Sequence, residues 1–460
     1  MARVAAAARP GWIGRRGLLR DPAWPVYALF LGLPIWWVLG IRHFMWPAVA
    51  TFMGLSLLMR RGVRIPVSAA IWALLLSWML VSAVALDNSG RIFGFMLRFS
   101  FYASAGIFLL YLYNSPRISS RAIVSALAGC WVLVVVGGYL GVLFPNVAFH
   151  TPIERVVPGS LLANSYIKDM TYARFAEVQT FLGFDVGRPA TFFTYTNGWG
   201  SGYALLVPFA FAEMALTRSR PCRRVLRVTV VLSIVPVIVS LNRGLWICLG
   251  VAALYTVGRF IGGRNAGGAV RLLALVGAVV LIIVLSPLGG LFQDRLAHGH
   301  SNGARESLYH ETFARVKKSP LIGYGAPRRA ESSGYLDSAG TQGQVLYLVF
   351  SHGYPGLIFF FAWLGHAFFR STRLSSPAGL AGQATLLIAA VQAPFYGLLT
   401  QLFVIAAAAA VTLKEEPVAS PRRGVHATPA RLAPVRAPAE GIVSWGSSAG
   451  APVPPRSQDE

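Results

Sequence analysis

The stretch IVSALAGCWVLVVVGGYLGVLF, from Ile123 to Phe144, carries no charged side chain along its length. A helix needs about 20 apolar residues to cross roughly 30 Å of hydrocarbon. The run is continuous rather than alternating, so a helix, not a barrel strand, is the way its backbone is satisfied in lipid. Four similar runs precede it, at Val26–Ile41, Phe44–Met59, Val67–Leu86 and Phe95–Leu112. Seven follow, at Gly198–Leu216, Val225–Leu241, Leu245–Phe260, Leu272–Phe292, Leu346–Phe369, Leu380–Pro394 and Leu398–Leu413. The expectation is an all-α, polytopic integral membrane protein with about twelve transmembrane helices. Composition agrees. Of 460 residues, 55% are hydrophobic and 13% charged, and the mean hydropathy is +0.57. A soluble domain carries roughly 25% charged residues, so the polar groups here are too few to clothe a water-soluble surface.

The formal net charge is +24. The basic residues sit in short connections and in the C-terminal segment, which is the pattern of a topology signal and not of a nucleic-acid face. With the N-terminus inside, the inner connections hold Arg60, Arg61 and Arg64; Arg117 and Arg121; Arg218, Arg220, Arg223, Arg224 and Arg227; Arg259, Arg264 and Arg271; Arg370 and Arg373. The short outer connections hold only Arg42, Arg91 and Arg243. Both termini are therefore expected in the cytoplasm, and the first span is expected to act as an uncleaved signal anchor. Residues 1–25 form a cytoplasmic segment, 26–413 the membrane domain, and 414–460 a Pro-, Ala-, Ser- and Arg-rich tail that reads as disordered. Two long loops, about 145–197 and 293–342, fall on the outer side. Cys130 and Cys248 lie in apolar runs and Cys222 in a basic connection; none suits a disulfide or a metal.

Three arginines stand where positive charge is otherwise avoided. Arg98 interrupts the fourth span, where a charge faces the bundle interior or snorkels to the interface. Arg243 sits in a connection so short that it lies at the membrane boundary. Arg188 opens the segment by which the first long loop re-enters the membrane. Each alone reads as an anchor or a loop cation. Together they suit a phosphate or diphosphate on a lipid, because a guanidinium stays charged and grips phosphate oxygens in pairs. The second loop adds His298, His300, Glu306, His310, Glu311 and Asp337 as acid–base candidates, each equally readable as a solvated side chain. An amphipathic helix is expected over Ser307–Val316. No P-loop, dinucleotide fingerprint or metal-ligand spacing occurs, so neither a cofactor nor a metal is expected. Glu213 is the one acid within a predicted span, which is few for an ion-coupled transporter.

The pieces resemble the bacterial O-antigen ligase and O-antigen polymerase superfamily. Arg188-Pro-Ala-Thr-Phe-Phe-Thr-Tyr-Thr-Asn197 is similar to its Arg-x-x-Gly-Thr-Phe-x-x-x-Asn segment. Ser240-Leu-Asn-Arg243-Gly244 looks like its Ser-Arg-Gly turn. Arg305…Tyr309…Pro320-Leu-Ile-Gly-Tyr324-Gly325 is similar to its Arg-x-x-x-Trp…Pro-Leu-x-Gly-x-Gly loop, and Leu346…Gly353-Tyr-Pro-Gly356 to the Leu…Gly-x-x-Gly of the next span. The resemblance covers about Arg188 to Gly356. It implies a metal-independent glycosyltransferase with a GT-C-like membrane fold in the bacterial plasma (inner) membrane. The implied donor is an undecaprenyl-pyrophosphate-linked glycan at the outer face, with membrane lipid around it, no nucleic acid, and a flippase or chain-length regulator of the same pathway as partner. Polymerase and ligase both fit. The implied catalytic set is Arg188, Arg243 and Gln342, with Arg98, Arg305, Asn197, Tyr324 and His352 binding substrate. One departure matters: Gln342 stands where the family's His-Asn supplies a base, and an amide cannot take a proton near neutral pH. Another residue then serves (His352, His310, Glu306 or Asp337), the chemistry leans on the leaving group, or the chain has diverged from catalysis. A lipid-glycan flippase and an envelope scaffold are the non-enzymatic alternatives.

Overall fold

The computed structural model describes residues 23–162, 165–180, 185–263, 265–285, 302–331 and 338–416. The predicted N-terminal segment up to residue 22, nearly all of the tail, His298, His300 and Asp337 lie outside the described residues. What is described is mostly helical. Among the described residues, five helices are long and apolar enough to cross a membrane: Val67–Ala85, Ser89–Tyr113, Ser120–Leu143, Arg243–Gly262 and Gln344–Ser371. The other expected spans fall on helices that are shorter, interrupted or less apolar. Val26–Ile41, for one, is divided into Trp24–Leu31 and Leu33–Leu39. The break is at Gly32, beside which the Trp36 indole N–H turns back to the Ala28 carbonyl at 2.7 Å.

Helix starts follow local chemistry. Asn88, Ser119, Ser219, Asn242 and Ser376 each accept a hydrogen bond from a backbone N–H in the first turn of the helix they open, satisfying one of the orphan donors there. Packing between the helices uses small residues, as expected where lipid removes most of the hydrophobic drive between apolar helices. Ser120–Leu143 lies along Thr196–Leu216. A Cβ on Gly138 would come within 2.7 Å of the Trp199 ring and 2.8 Å of Pro236. The run Ala406–Ala410, in the helix Leu402–Glu415, is buried throughout and lets that helix pack against both Ser89–Tyr113 and Pro377–Gln392.

The all-helical expectation needs one correction. The connecting segments hold three two-stranded antiparallel ribbons. The most consequential pairs Ala176–Thr180 with Asp185–Pro189, setting Glu177 directly opposite Arg188. The helix expected over Ser307–Val316 is present as part of Asn302–Lys318.

A second joint explains much of the glycine-rich motif. The helix Gln344–Ser371 is broken at Gly353, whose φ of 65° and ψ of −174° are not helical. A break releases carbonyls from the helical ladder. Here the released groups find partners in the Pro320–Gly325 loop: Tyr324 N–H donates to Phe350 O at 3.0 Å and Gly325 N–H to Ser351 O at 2.7 Å. Tyr354 N–H in turn donates to Pro320 O at 2.8 Å. The Arg91 guanidinium reaches the Tyr324 and Ala326 carbonyls and pairs with Asp87. That hydrogen bond holds the Asp87 carboxyl below its ordinary range.

Candidate functional site

One cavity of about 1170 Å³ opens at the end of the bundle where helices begin. Drug-sized ligands occupy roughly 300–1,000 Å³, so this space suits something larger. Arg42 starts one helix, Arg243 another and Gln344 a third; Asn197 is the second residue of a fourth, and Gln401 caps a fifth. All five residues line the cavity. Each helix N-terminus carries roughly half a positive charge from its aligned peptide dipoles, which favours an anion, although the first N–H groups of the helices at Thr196 and Gln344 are already bonded to Glu177 and to the Tyr396 carbonyl. Four arginines, Arg42, Arg98, Arg188 and Arg243, share the wall with one carboxylate, Glu177. Deeper in, the lining turns apolar at Leu29, Phe30, Leu206 and Val404.

The four arginines do different work. Arg188 is 7% exposed; its Nε donates to Ser240 O at 2.7 Å and its Nη1 to Gln179 Oε1 at 2.7 Å. Arg42 is as buried, and donates to Phe192 O and Thr194 Oγ1. These two brace strained backbone. Among the described residues, Phe192 and Leu241 are the non-glycine residues with positive φ, 70° and 49°, a conformation costing about 1–2 kcal/mol for an L-residue. Arg42 grips the Phe192 carbonyl itself, and Arg188 grips the carbonyl just before Leu241. Both strained residues line the cavity, where such strain tends to collect.

Arg98 donates from Nη1 to Gly94 O, one turn back on its own helix, at 3.1 Å, and lies 5.7 Å from the centre of the Tyr347 ring. Arg243 is half-buried, and its guanidinium has no hydrogen-bond or ion-pair partner among the described residues. Beside it, Asn242 caps the helix Arg243–Gly262 through Oδ1, which accepts from Leu245 N at 3.1 Å and from the Tyr396 hydroxyl. Those two donors fix the amide orientation. Gly244 is required here, since a Cβ would fall 2.0 Å from the Tyr396 hydroxyl.

Gln342 also lines the cavity and has no hydrogen-bond partner among the described residues. It precedes Gly343, whose φ of 113° favours glycine. Gln344 does something else: its Oε1 accepts from Leu398 N at 3.0 Å and its Nε2 donates to the Tyr102 hydroxyl, tying the Ala393–Leu398 turn to the bundle. Tyr195 reaches the cavity with its hydroxyl donating to Asp169. Burial, and then the Asp169 carboxylate, push that phenol above its ordinary range, so it stays a donor.

Of the residues singled out from sequence, Arg98, Arg188, Asn197, Arg243 and Gln342 meet around this cavity. Tyr324 and His352 do not. Tyr324 packs on Phe350 with ring centroids 4.9 Å apart, and its hydroxyl donates to Arg315 O at 2.9 Å. His352 is fully buried behind the Gly353 break. Its Nδ1 bonds Ser82 Oγ at 2.6 Å and its Nε2 the Tyr347 hydroxyl at 3.3 Å, and the ring itself does not line the cavity. His310 is exposed, and Glu311 is committed to Arg315 at 2.7 Å and to the Glu331 N–H. Arg305 lies one turn before Tyr309, a cavity residue; the side chains of Arg305 and Glu306 lie outside the described residues. Sequence reasoning missed Arg42 and Glu177. Arg42 carried a signal, as one of three arginines on the side otherwise poor in them. Glu177 carried none, because only the ribbon register brings it to Arg188.

No curated protein and no solved structure matches the chain. Residues 228–361 match the family model described as O-antigen ligase. The matched stretch contains Arg243, Gln342 and the Gly353 joint, and Arg188 lies ahead of it. By that match, residues 228–361 of this chain, which carries several helices of membrane-spanning length, are similar to the O-antigen ligase family.

Proposed function

We propose that the protein transfers a glycan from a polyprenyl diphosphate to a hydroxyl acceptor at the outer face of the plasma membrane. The observation that carries this reading is Arg243: a guanidinium at a helix N-terminus, on the wall of a large cavity, with no partner of its own. A buried or half-buried cation is costly without a counter-charge, and a diphosphate supplies one. The apolar depth of the same cavity suits an isoprenoid, and its width leaves room for sugar. The arginine asymmetry of the short connections supports an outer position for this end of the bundle, where a lipid-linked glycan would be presented.

In the transfer the diphosphate leaves as charge builds on its bridging oxygen. Arg243 and Arg98, with the helix N-termini, are placed to stabilise that charge as it develops. Arg188 and Arg42 hold the turns from which the cavity wall is made. Gln342 offers an amide to orient the acceptor hydroxyl. Removing one such charge-stabilising group costs on the order of 10²–10³ in rate. Arg243→Ala should therefore abolish visible polymer on surface-glycan gels while the protein inserts at its normal level. A normal ladder from that variant would overturn the assignment.

A further inference from the structure

Transfer to a hydroxyl needs somewhere for its proton to go. The family's position for a base is taken by Gln342, His352 lies off the cavity wall, and Tyr195 is a donor. On the cavity wall stands one carboxylate among the described residues, Glu177. Its setting is built. Oε2 accepts from Thr196 N at 3.0 Å and Oε1 from Gln179 Nε2 at 2.7 Å. Gln179 passes the connection on to Arg188, and Arg188 to Ser240. The ribbon places Glu177 directly opposite Arg188. The carboxylate is thus fixed in orientation by single donors, one per oxygen, and each oxygen keeps a second lone pair.

Resting on the glycan-transfer reading, we propose that Glu177 is the proton acceptor for the attacking hydroxyl. The acceptor oxygen forms its bond to the anomeric carbon of the donor sugar. The bond from that carbon to the diphosphate oxygen breaks, and its electron pair leaves with the diphosphate toward Arg243 and Arg98. The hydroxyl proton passes to the Glu177 carboxylate and from there to water, so no further reactant is consumed. The other cavity group of suitable type, His43, follows Arg42 in the chain, where a proton would add a second cation beside a permanent one.

The test uses right-side-out membrane vesicles from a strain deleted for the gene and complemented with each variant. Such vesicles contain the strain's own lipid-linked glycan and acceptor. Glu177→Gln keeps an oxygen for the Thr196 N–H but loses the base, and should lower the transfer rate by about 10²–10⁴-fold at unchanged protein level and melting temperature. Glu177→His should restore part of the rate with the acid limb of the pH–rate profile moved to higher pH, since imidazole titrates roughly two units above a carboxyl group. A purely structural role predicts no movement of that limb, and an unmoved limb in an active Glu177→His protein would overturn the proposal. Arg243→Ala is measured alongside. If it is inactive while Glu177→Gln transfers normally, the base assignment alone falls. If Arg243→Ala transfers normally, the diphosphate reading beneath it falls as well.

Discussion

Two regions of this molecule hold the residues that the family motifs pick out, and they are built to opposite rules. Around the Pro320–Gly325 loop and the Gly353 break, polar groups are largely answered inside the protein: loop N–H to helix carbonyl, Arg91 to loop carbonyls, His352 to Ser82 and Tyr347. Around Ser240–Gly244 and Gln342, two polar side chains are left facing a cavity without partners, and the groups behind them are tied down. A joint is stabilised by completing its hydrogen bonds. A site holds some in reserve for its ligand and fixes the shell that aims them. Motif membership alone does not separate the two.

The difference can be attacked from either side. The largest effect is expected at the joint. Gly353→Ala would place a Cβ 2.0 Å from the Leu321 carbonyl, at a φ that already favours glycine. It should sharply reduce the folded protein recovered in detergent, and a normal yield with lost activity would mean that the joint belongs to the chemistry after all. Next comes the shell of the site. Arg188→Lys cannot keep both the Ser240 and Gln179 bonds, and a displacement of about 1 Å at a reacting centre can cost on the order of 10² in rate. Transfer should fall by about 10–100-fold with little change in melting temperature; near-normal transfer would remove Arg188 from the site. The smallest effect is expected from Tyr324→Phe. It deletes one hydrogen bond to Arg315 O, about 1 kcal/mol, and should change the rate by less than about threefold. A larger loss would return Tyr324 to the substrate.

The helical character of the chain was legible because apolar runs of about twenty residues have few other uses; the count of twelve spans was not, since five of the described helices have membrane-spanning length and apolarity. The gathering of Arg98, Arg188 and Arg243 was legible for a related reason: charge at a membrane boundary has few places to go. What could not be read was anything set by pairing across distance. Glu177 faces Arg188 only through a ribbon register, and no local pattern announces it. Tyr324 and His352, expected as ligand contacts, lie at a joint away from this cavity, because a tight glycine turn serves a joint as well as a binding loop. Arg42 was treated as a topology mark only, although its burial against Phe192 makes it part of the wall.

The convergence of five helix beginnings on the cavity bears on how the protein meets a changing medium. Peptide dipoles have no proton to gain or lose, and guanidinium groups keep theirs in proteins. An attraction assembled from these two sources does not weaken when the surroundings turn acidic or mildly alkaline. Under the proposed transfer reaction, acidity would act through the Glu177 carboxylate and the ligand's own acidic groups rather than through this attraction.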